Sequence, residues 1–234
     1  ASGGAPRPVE HVRRIAQDMP ATHPVIGYGL TETNATGCGN FRENYINHPD
    51  STGKVSQPLA ELAIMDDAGN HLPLGHHGEI AFRTVCNFKY YWNRPEDTQA
   101  AFTADGFFRT GDIGYVDEEG YLTIVDRKKD IIIRGGENIS SPEVEAACYE
   151  HPAVKECAVF GLPDPRYGEI PGAVVHVHEG EELTARVLCD FLKTRLAPFK
   201  IPAHIWFSEK QLPRLGTEKI DKRALREMYR KMPP

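Results

Sequence analysis

Between residues 55 and 125 short apolar runs alternate with turn-forming residues, and this rhythm limits the possible folds more than any other feature of the chain. Glu61-Leu62-Ala63-Ile64-Met65 runs into Asp66-Asp67-Ala68-Gly69-Asn70, and Gly78-Glu79-Ile80-Ala81-Phe82-Arg83 follows. The pattern recurs in Gly114-Tyr115-Val116, Asp117-Glu118-Glu119-Gly120 and Tyr121-Leu122-Thr123-Ile124-Val125. Asp, Asn and Gly supply the backbone angles of tight turns, so the segment predicts strand, turn, strand. The expected result is a small antiparallel barrel or sheet, placed as a β-barrel subdomain over about residues 40–125.

Outside that segment the rhythm changes. Pro8 to Met19 carries Val9, Val12 and Ile15-Ala16 at an amphipathic helical spacing, and Pro24-Val25-Ile26 is a short strand that stops at Gly27-Tyr28-Gly29. After the charge run Asp126-Arg127-Lys128-Lys129-Asp130, both element types mix. Ser141-Pro142-Glu143 predicts a helix start: a capping hydroxyl, Pro in the first turn, then an acid near the positive end of the helix dipole. Cys157-Ala158-Val159-Phe160, Ala173-Val174-Val175-His176-Val177 and Ile205-Trp206-Phe207 read as strands. Two helices follow the apolar spacing, one with Val187, Leu188, Phe191 and Leu192 on one face, the last with Leu225, Met228 and Tyr229. The fold class is α+β.

Charge and cysteine usage narrow the function classes. The net charge is −6, whereas a nucleic-acid surface requires a basic face. No apolar run approaches the roughly 20 residues of a membrane helix. The five cysteines, Cys38, Cys86, Cys148, Cys157 and Cys189, are scattered and odd in number. That argues against a disulfide framework and fits a reducing, cytoplasmic compartment. His76-His77 sits in a Gly-rich turn with no second ligand cluster at metal spacing, so a solvated turn is the better account.

Four segments carry candidate chemistry. In Gly27-Tyr28-Gly29-Leu30-Thr31-Glu32-Thr33 two glycines let backbone approach a ligand, and Tyr28 offers a ring face. Thr31 can donate to a phosphate oxygen, and Glu32 is a hard oxygen ligand for Mg²⁺. In Thr110-Gly111-Asp112 the carboxylate can accept from both hydroxyls of a ribose. Asp126 to Asp130 followed by Ile131-Ile132-Ile133-Arg134-Gly135-Gly136-Glu137-Asn138-Ile139 places charges, a buried strand and a Gly-Gly turn in a specific order. Pro213-Arg214-Leu215-Gly216-Thr217-Glu218-Lys219-Ile220 puts a lysine in a loop just before a helix. Each has a bland reading: a strand-ending turn, a Gly-Asp turn, a solvated hairpin and a surface lysine.

The order and spacing of the four together, with Ser2-Gly3-Gly4-Ala5-Pro6 ahead of them, resemble the adenylate-forming superfamily of acyl-CoA synthetases, aryl-CoA ligases, luciferases and peptide-synthetase adenylation domains. Tyr28-Gly29-Leu30-Thr31-Glu32 followed by Thr33-Asn34 looks most like the fatty acyl-CoA ligases. The resemblance implies roles by position. Gly4, Gly27, Tyr28, Gly29, Leu30 and Thr31 line the nucleotide site, and Glu32 binds Mg²⁺. Asp112 holds the ribose with Arg127 assisting. Lys129 is the hinge residue of a mobile C-terminal domain, Gly135 and Gly136 line the pantetheine tunnel, and Lys219 contacts the carboxylate and the α-phosphate. The family usually has Gly before that lysine, and here it is Glu218.

The resemblance further implies that residues 1–126 are the end of a large N-terminal domain, with an α/β remnant at 1–36, and that residues 127–234 are the mobile domain, with the hinge at 126–130. It implies ATP, Mg²⁺ and coenzyme A as cofactors and co-substrates and a small-molecule carboxylic acid, a medium- or long-chain fatty acid, as substrate, with homo-oligomerisation left open. The family's Ser/Thr/Gly-rich phosphate loop ending in Pro-Lys-Gly is not found. The chain is therefore expected to be a fragment of a longer ligase, inactive alone. The competing expectations are an adenylation domain that loads a carrier protein and a non-catalytic nucleotide-binding relative.

Overall fold

In the computed structural model, residues 2, 3, 9–216, 219–230 and 232 are described. The chain divides into two compact units, residues 1–128 and 129–234. Both mix helices with sheets, which is an α+β arrangement.

The first unit contains β1 (Ser2–Gly3), α1 (Val9–Asp18), β2 (Val25–Tyr28), β3 (Cys38–Phe41), α2 (Glu43–Asn47), β4 (Lys54–Val55), β5 (Ala60–Met65), β6 (Gly78–Thr84), α3 (Pro95–Ala101), β7 (Phe108–Val116) and β8 (Leu122–Arg127). Strands β1 to β4 form one sheet, with β1 parallel to β2 and the rest antiparallel. Strands β5 to β8 form a second, wholly antiparallel sheet in sequential order. The turn chemistry works as the residues require: Asp66 N–H donates to Asn70 O, Asn70 N–H donates to the Asp66 carboxylate, and Gly69 takes φ +86°.

The expected barrel is not closed among the described residues. Closure needs the first and last strands to pair, and four strands are too few to curl that far. The apolar face of β5–β8 is covered instead by the other sheet. Cys38 packs with Ile64, Ile80, Phe82 and Leu122, and Tyr28 and Val55 lie against them. A bridge from Gly53 to Leu122 joins the two layers at one edge.

Strand β7 begins at Phe108, so Thr110-Gly111-Asp112 lies inside a strand and not in a turn. Gly111 takes φ +73° there, a conformation open to glycine at no cost. The run Asp126–Asp130 is likewise no hairpin turn. Asp126 and Arg127 complete β8, and the next strand belongs to the sheet of the second unit.

The second unit contains β9 (Ile132–Arg134), β10 (Glu137–Ile139), α4 (Ser141–Tyr149), β11 (Val154–Asp164), β12 (Gly168–Val177), α5 (Ala185–Leu192), β13 (His204–Phe207) and α6 (Lys222–Tyr229). The long pair β11–β12 is its spine; β12 also pairs with β9 at one end and with β13, in parallel, further along. Alternate residues of the spine supply two cores. Cys157, Val159, Ala173 and Val175 pack with α4 and α5, whereas Ala158, Phe160, Leu162 and Val174 pack with Leu212 and the Leu225 of α6.

Three local expectations change. The cap of α4 is Ser140, whose hydroxyl accepts from Glu143 N–H, while Ser141 is the first helical residue and donates to Asp130 O. Val187 is exposed, because α5 buries its i, i+4 stripe Leu188 and Leu192. Met228 is exposed for the same reason, since α6 turns Leu225 and Tyr229 inward. Among the described residues no helix is long and apolar enough to cross a membrane.

Candidate functional site

Asp112 is the best-defined of the candidate residues. It lies opposite Arg127 in the β7–β8 register, so the two side chains project from the same face. Arg127 Nε donates to Asp112 Oδ1 at 2.9 Å, and the Tyr28 hydroxyl donates to Oδ2 at 2.6 Å. Thr110 supports the strand from behind. Its hydroxyl donates to Ile80 O and accepts from Asp112 N–H. Burial, reinforced by the Asp112 carboxylate, pushes the Tyr28 phenol well above its ordinary 10.0, so Tyr28 stays a donor. A carboxylate offers about four lone-pair positions. Tyr28 and Arg127 fill one on each oxygen, which leaves one free on each.

Tyr28 therefore does more than present a ring face: it ties the glycine motif to Asp112. Gly27, beside it, is exposed, and a Cβ there would meet only Cys38 O at 3.9 Å, so its backbone is open to approach. Gly29 is glycine for a different reason. A Cβ would come within 2.4 Å of the Ala35 backbone, so the loop's own packing excludes a side chain. Leu30 precedes a single 3₁₀ turn, Thr31–Thr33, locked by the buried Thr33 hydroxyl, which accepts from Leu30 N–H and donates to Leu30 O. Thr31 stands exposed on that turn, and Glu32 is half-buried.

Segment 86–91 splints the turn. Phe88 N–H donates to Glu32 O at 2.7 Å, Asn34 Nδ2 donates to Cys86 O at 2.7 Å, and the Tyr91 hydroxyl donates to Glu32 Oε1 at 2.9 Å. Burial and the Glu32 carboxylate push the Tyr91 phenol up to about 12, which keeps it a donor. Among the described residues no three His, Cys, Asp or Glu side chains converge to cage a metal. Mg²⁺ commonly binds through one or two carboxylates plus substrate phosphates, and a lone oriented Glu32 fits that donor set.

In the second unit, Gly135 and Gly136 form the two-residue loop between β9 and β10, with φ +60° and +91°. Positive φ at both positions is the turn that suits hairpin twist, which explains the glycine pair. The turn is exposed; Gly135 N–H donates to Tyr167 O, and Arg134 lies over the Tyr167 ring at 4.4 Å. Lys129 is exposed and is the first residue of this unit.

Lys219 is exposed on one arm of a narrow hairpin. Leu215 N–H donates to Lys219 O at 2.8 Å, Arg214 bridges Ile220, and Asp221 N–H donates to Pro213 O at 2.7 Å. Asp221 then caps α6 by accepting from Ala224 N–H. Gly4 and the Thr217-Glu218 pair lie outside the described residues.

Two family models match the chain. That of the AMP-binding enzymes takes residues 1–92, and that of the AMP-binding enzyme C-terminal domain takes residues 143–219. The chain belongs to the AMP-binding, adenylate-forming enzymes. Within this family it is 40% identical over 228 residues to a long-chain-fatty-acid–CoA ligase of Mycobacterium tuberculosis, a match spanning 97% of this chain and 44% of that one. It is 38% identical over 227 residues to a feruloyl-CoA synthase of Amycolatopsis, again over 97% of this chain and 45% of that one. The crystal structure of ATP-bound MatB from Rhodopseudomonas palustris superposes with a TM-score of 0.91 at 35% identity, over 98% of this chain and 45% of that one. The chain thus spans less than half the length of the AMP-binding enzymes it matches.

Two partnerships escape the motif pattern. Tyr91 lies 59 residues from Glu32, and the buried Glu156 lies 58 residues from Arg214, which it pairs with. Neither has a local signal, although an acid directly before the apolar run from Cys157 to Leu162 marks Glu156 as anomalous.

Proposed function

We propose that the enzyme to which these residues contribute joins a carboxylic acid to coenzyme A in two steps, through an acyl-adenylate. The observation that carries this reading is Asp112, held by Tyr28 and Arg127 with one acceptor position left on each oxygen. A vicinal diol needs two such positions side by side, and the ribose of ATP is one.

Gly27 leaves its backbone open beside the nucleotide, and Thr31 donates to a phosphate oxygen. Glu32 would hold Mg²⁺, which would offset phosphate charge when bound. In the first step the acid's carboxylate oxygen attacks the α-phosphorus, the bond to the pyrophosphate oxygen breaks, and pyrophosphate leaves. Both partners are anionic, so the barrier is largely electrostatic; Lys219 supplies the cation that the carboxylate and the α-phosphate share. In the second step the thiolate of coenzyme A attacks the acyl carbon and AMP departs. Gly135 and Gly136 have no side chains to obstruct the pantetheine arm, and segment 126–130 with Lys129 is the hinge.

The substrate class we propose is a fatty acid, supported by the 40% identity to a long-chain-fatty-acid–CoA ligase. The five cysteines are free thiols, which suits a reducing, cytoplasmic setting. The test is Lys219→Ala in the full enzyme. ATP–pyrophosphate exchange should be abolished, while thioester formation from a supplied acyl-adenylate persists. Equal loss of both half-reactions refutes the assignment.

A further inference from the structure

The Lys219 hairpin is fastened at its base by one buried carboxylate. Glu156 stands on β11, just after a bulge. Val154 pairs with Val177 and Glu156 with His176, so Lys155 is an extra residue in the strand. In an unbroken strand Val154 and Glu156 point to the same face. The bulge separates them: Val154 enters the core under α4 and α5, while Glu156 shares the other face with Ala158 and Phe160. That face also holds Leu212 and Ile220, one at the foot of each hairpin arm.

Glu156 is 7% exposed, and both its oxygens are engaged by the outgoing arm. Leu212 N–H donates to Oε2 at 2.8 Å, and the Arg214 guanidinium donates to Oε1. Arg214 in turn bridges Ile220, the residue after Lys219. A short relay therefore runs from the bulge through Glu156 and Arg214 to the backbone beside the lysine. A buried acid in an apolar face is costly unless it is paired, and an apolar residue would pack there without that cost. What Glu156 adds over an apolar residue is direction.

We infer that Glu156, acting through Arg214 and Leu212 N–H, is a positioning residue for Lys219 and sets the presentation of its ammonium group for the adenylation half-reaction. The inference rests on the role proposed for Lys219. Glu156 touches no substrate, and its effect is on the geometry of the step that uses the lysine. Small displacements of a reacting group carry large rate penalties, so a slackened hairpin lowers the adenylation rate without altering how ATP or the acid binds.

The test compares Glu156→Gln, Arg214→Met, Arg214→Lys, the Glu156→Gln/Arg214→Met pair and Lys219→Ala in the full enzyme. Glu156→Gln should lower kcat for ATP–pyrophosphate exchange about tenfold or more. The KM values for ATP and acid, and thioester formation from a supplied acyl-adenylate, should stay within about twofold. Arg214→Met should match Glu156→Gln, Arg214→Lys should recover part of the rate, and the double variant should fall no further than either single change. If Lys219→Ala abolishes exchange while Glu156→Gln spares it, or lowers both half-reactions equally, the inference is overturned and the lysine keeps its role. If Lys219→Ala itself spares exchange, the role of the lysine fails and this inference fails with it. Should Glu156→Gln not fold, Arg214→Lys against Arg214→Met decides: equal exchange rates overturn the inference.

Discussion

Replacing Asp112 by Asn keeps the shape of the side chain and removes its charge, and the structure sets the size of the effect. Asn has one acceptor oxygen and one amide group that only donates. Arg127 cannot accept, so the oxygen must face Arg127 and the amide must face Tyr28, whose hydroxyl then accepts. In the proposed ribose site, each hydroxyl would exchange a bond to a carboxylate for a neutral one. Bonds to charged groups contribute roughly 1.5–3 kcal/mol and neutral ones about 1, so the loss is about 1 kcal/mol per hydroxyl. Two hydroxyls make about 2 kcal/mol, close to thirtyfold in ATP affinity. Fold stability should fall by about 1–3 kcal/mol, because the Tyr28 hydroxyl loses the carboxylate that accepts its proton, whereas the half-exposed Arg127 retains a partner. The assay is calorimetric titration of the full enzyme and its Asp112→Asn variant with ATP, 2′-deoxy-ATP and 3′-deoxy-ATP, alongside thermal melts. Each deoxy analogue should bind the natural enzyme about tenfold or more weakly than ATP, with a smaller penalty in the variant. If the variant binds ATP within threefold of the natural enzyme, or if neither deoxy analogue is penalised, Asp112 does not hold the ribose.

Two further outcomes follow from carboxylates on the first unit. Tyr91→Phe removes only the hydroxyl that steers Glu32, so it should raise the Mg²⁺ concentration for half-maximal activity several-fold with the melting temperature little changed; an unaltered Mg²⁺ titration would rule out that role. Glu79 is buried, which alone raises its pKa, but hydrogen bonds and charge from Arg109 and Lys128 outweigh this and lower it below the ordinary 4.5. A depressed carboxylate contributes stability above pH 4.5 that is lost as the pH falls through the folded value. Glu79→Gln should therefore flatten the acid limb of a stability–pH curve measured by urea unfolding, and an unchanged slope below pH 4.5 would contradict it.

The motifs were legible because each is local. Gly135-Gly136 announces a hairpin loop, and Asp66 to Asn70 announces a turn, since the angles demanded there are set by the residues themselves. What escaped depends on register. Thr110-Gly111-Asp112 reads as a turn because Gly and Asp favour turns, yet pairing with β8 on one side and β6 on the other draws it into a strand. Val187 and Met228 read as core because helical spacing alone does not fix which side of an apolar stripe is covered. The bulge at Lys155 cannot be read from an apolar run, and Glu156 depends on it. The sheet of β5–β8 reads as a barrel because strand count and alternation do not reveal that a second sheet covers its face.

The Gly135–Gly136 hairpin is built as a cantilever. Its root is clamped, with Ile132 and Ile139 fully buried in the core. Beyond the root it meets the spine through Gly168 opposite Arg134, Gly135 N–H on Tyr167 O, and Ile133 N–H on the Glu169 carboxylate. All three points of support cluster at the start of β12, and Glu169 is itself gripped by Arg226 of α6. A load at the tip is therefore borne first by one short stretch at the start of β12. The tip can yield by opening a few hydrogen bonds, and the domain that carries it keeps its shape.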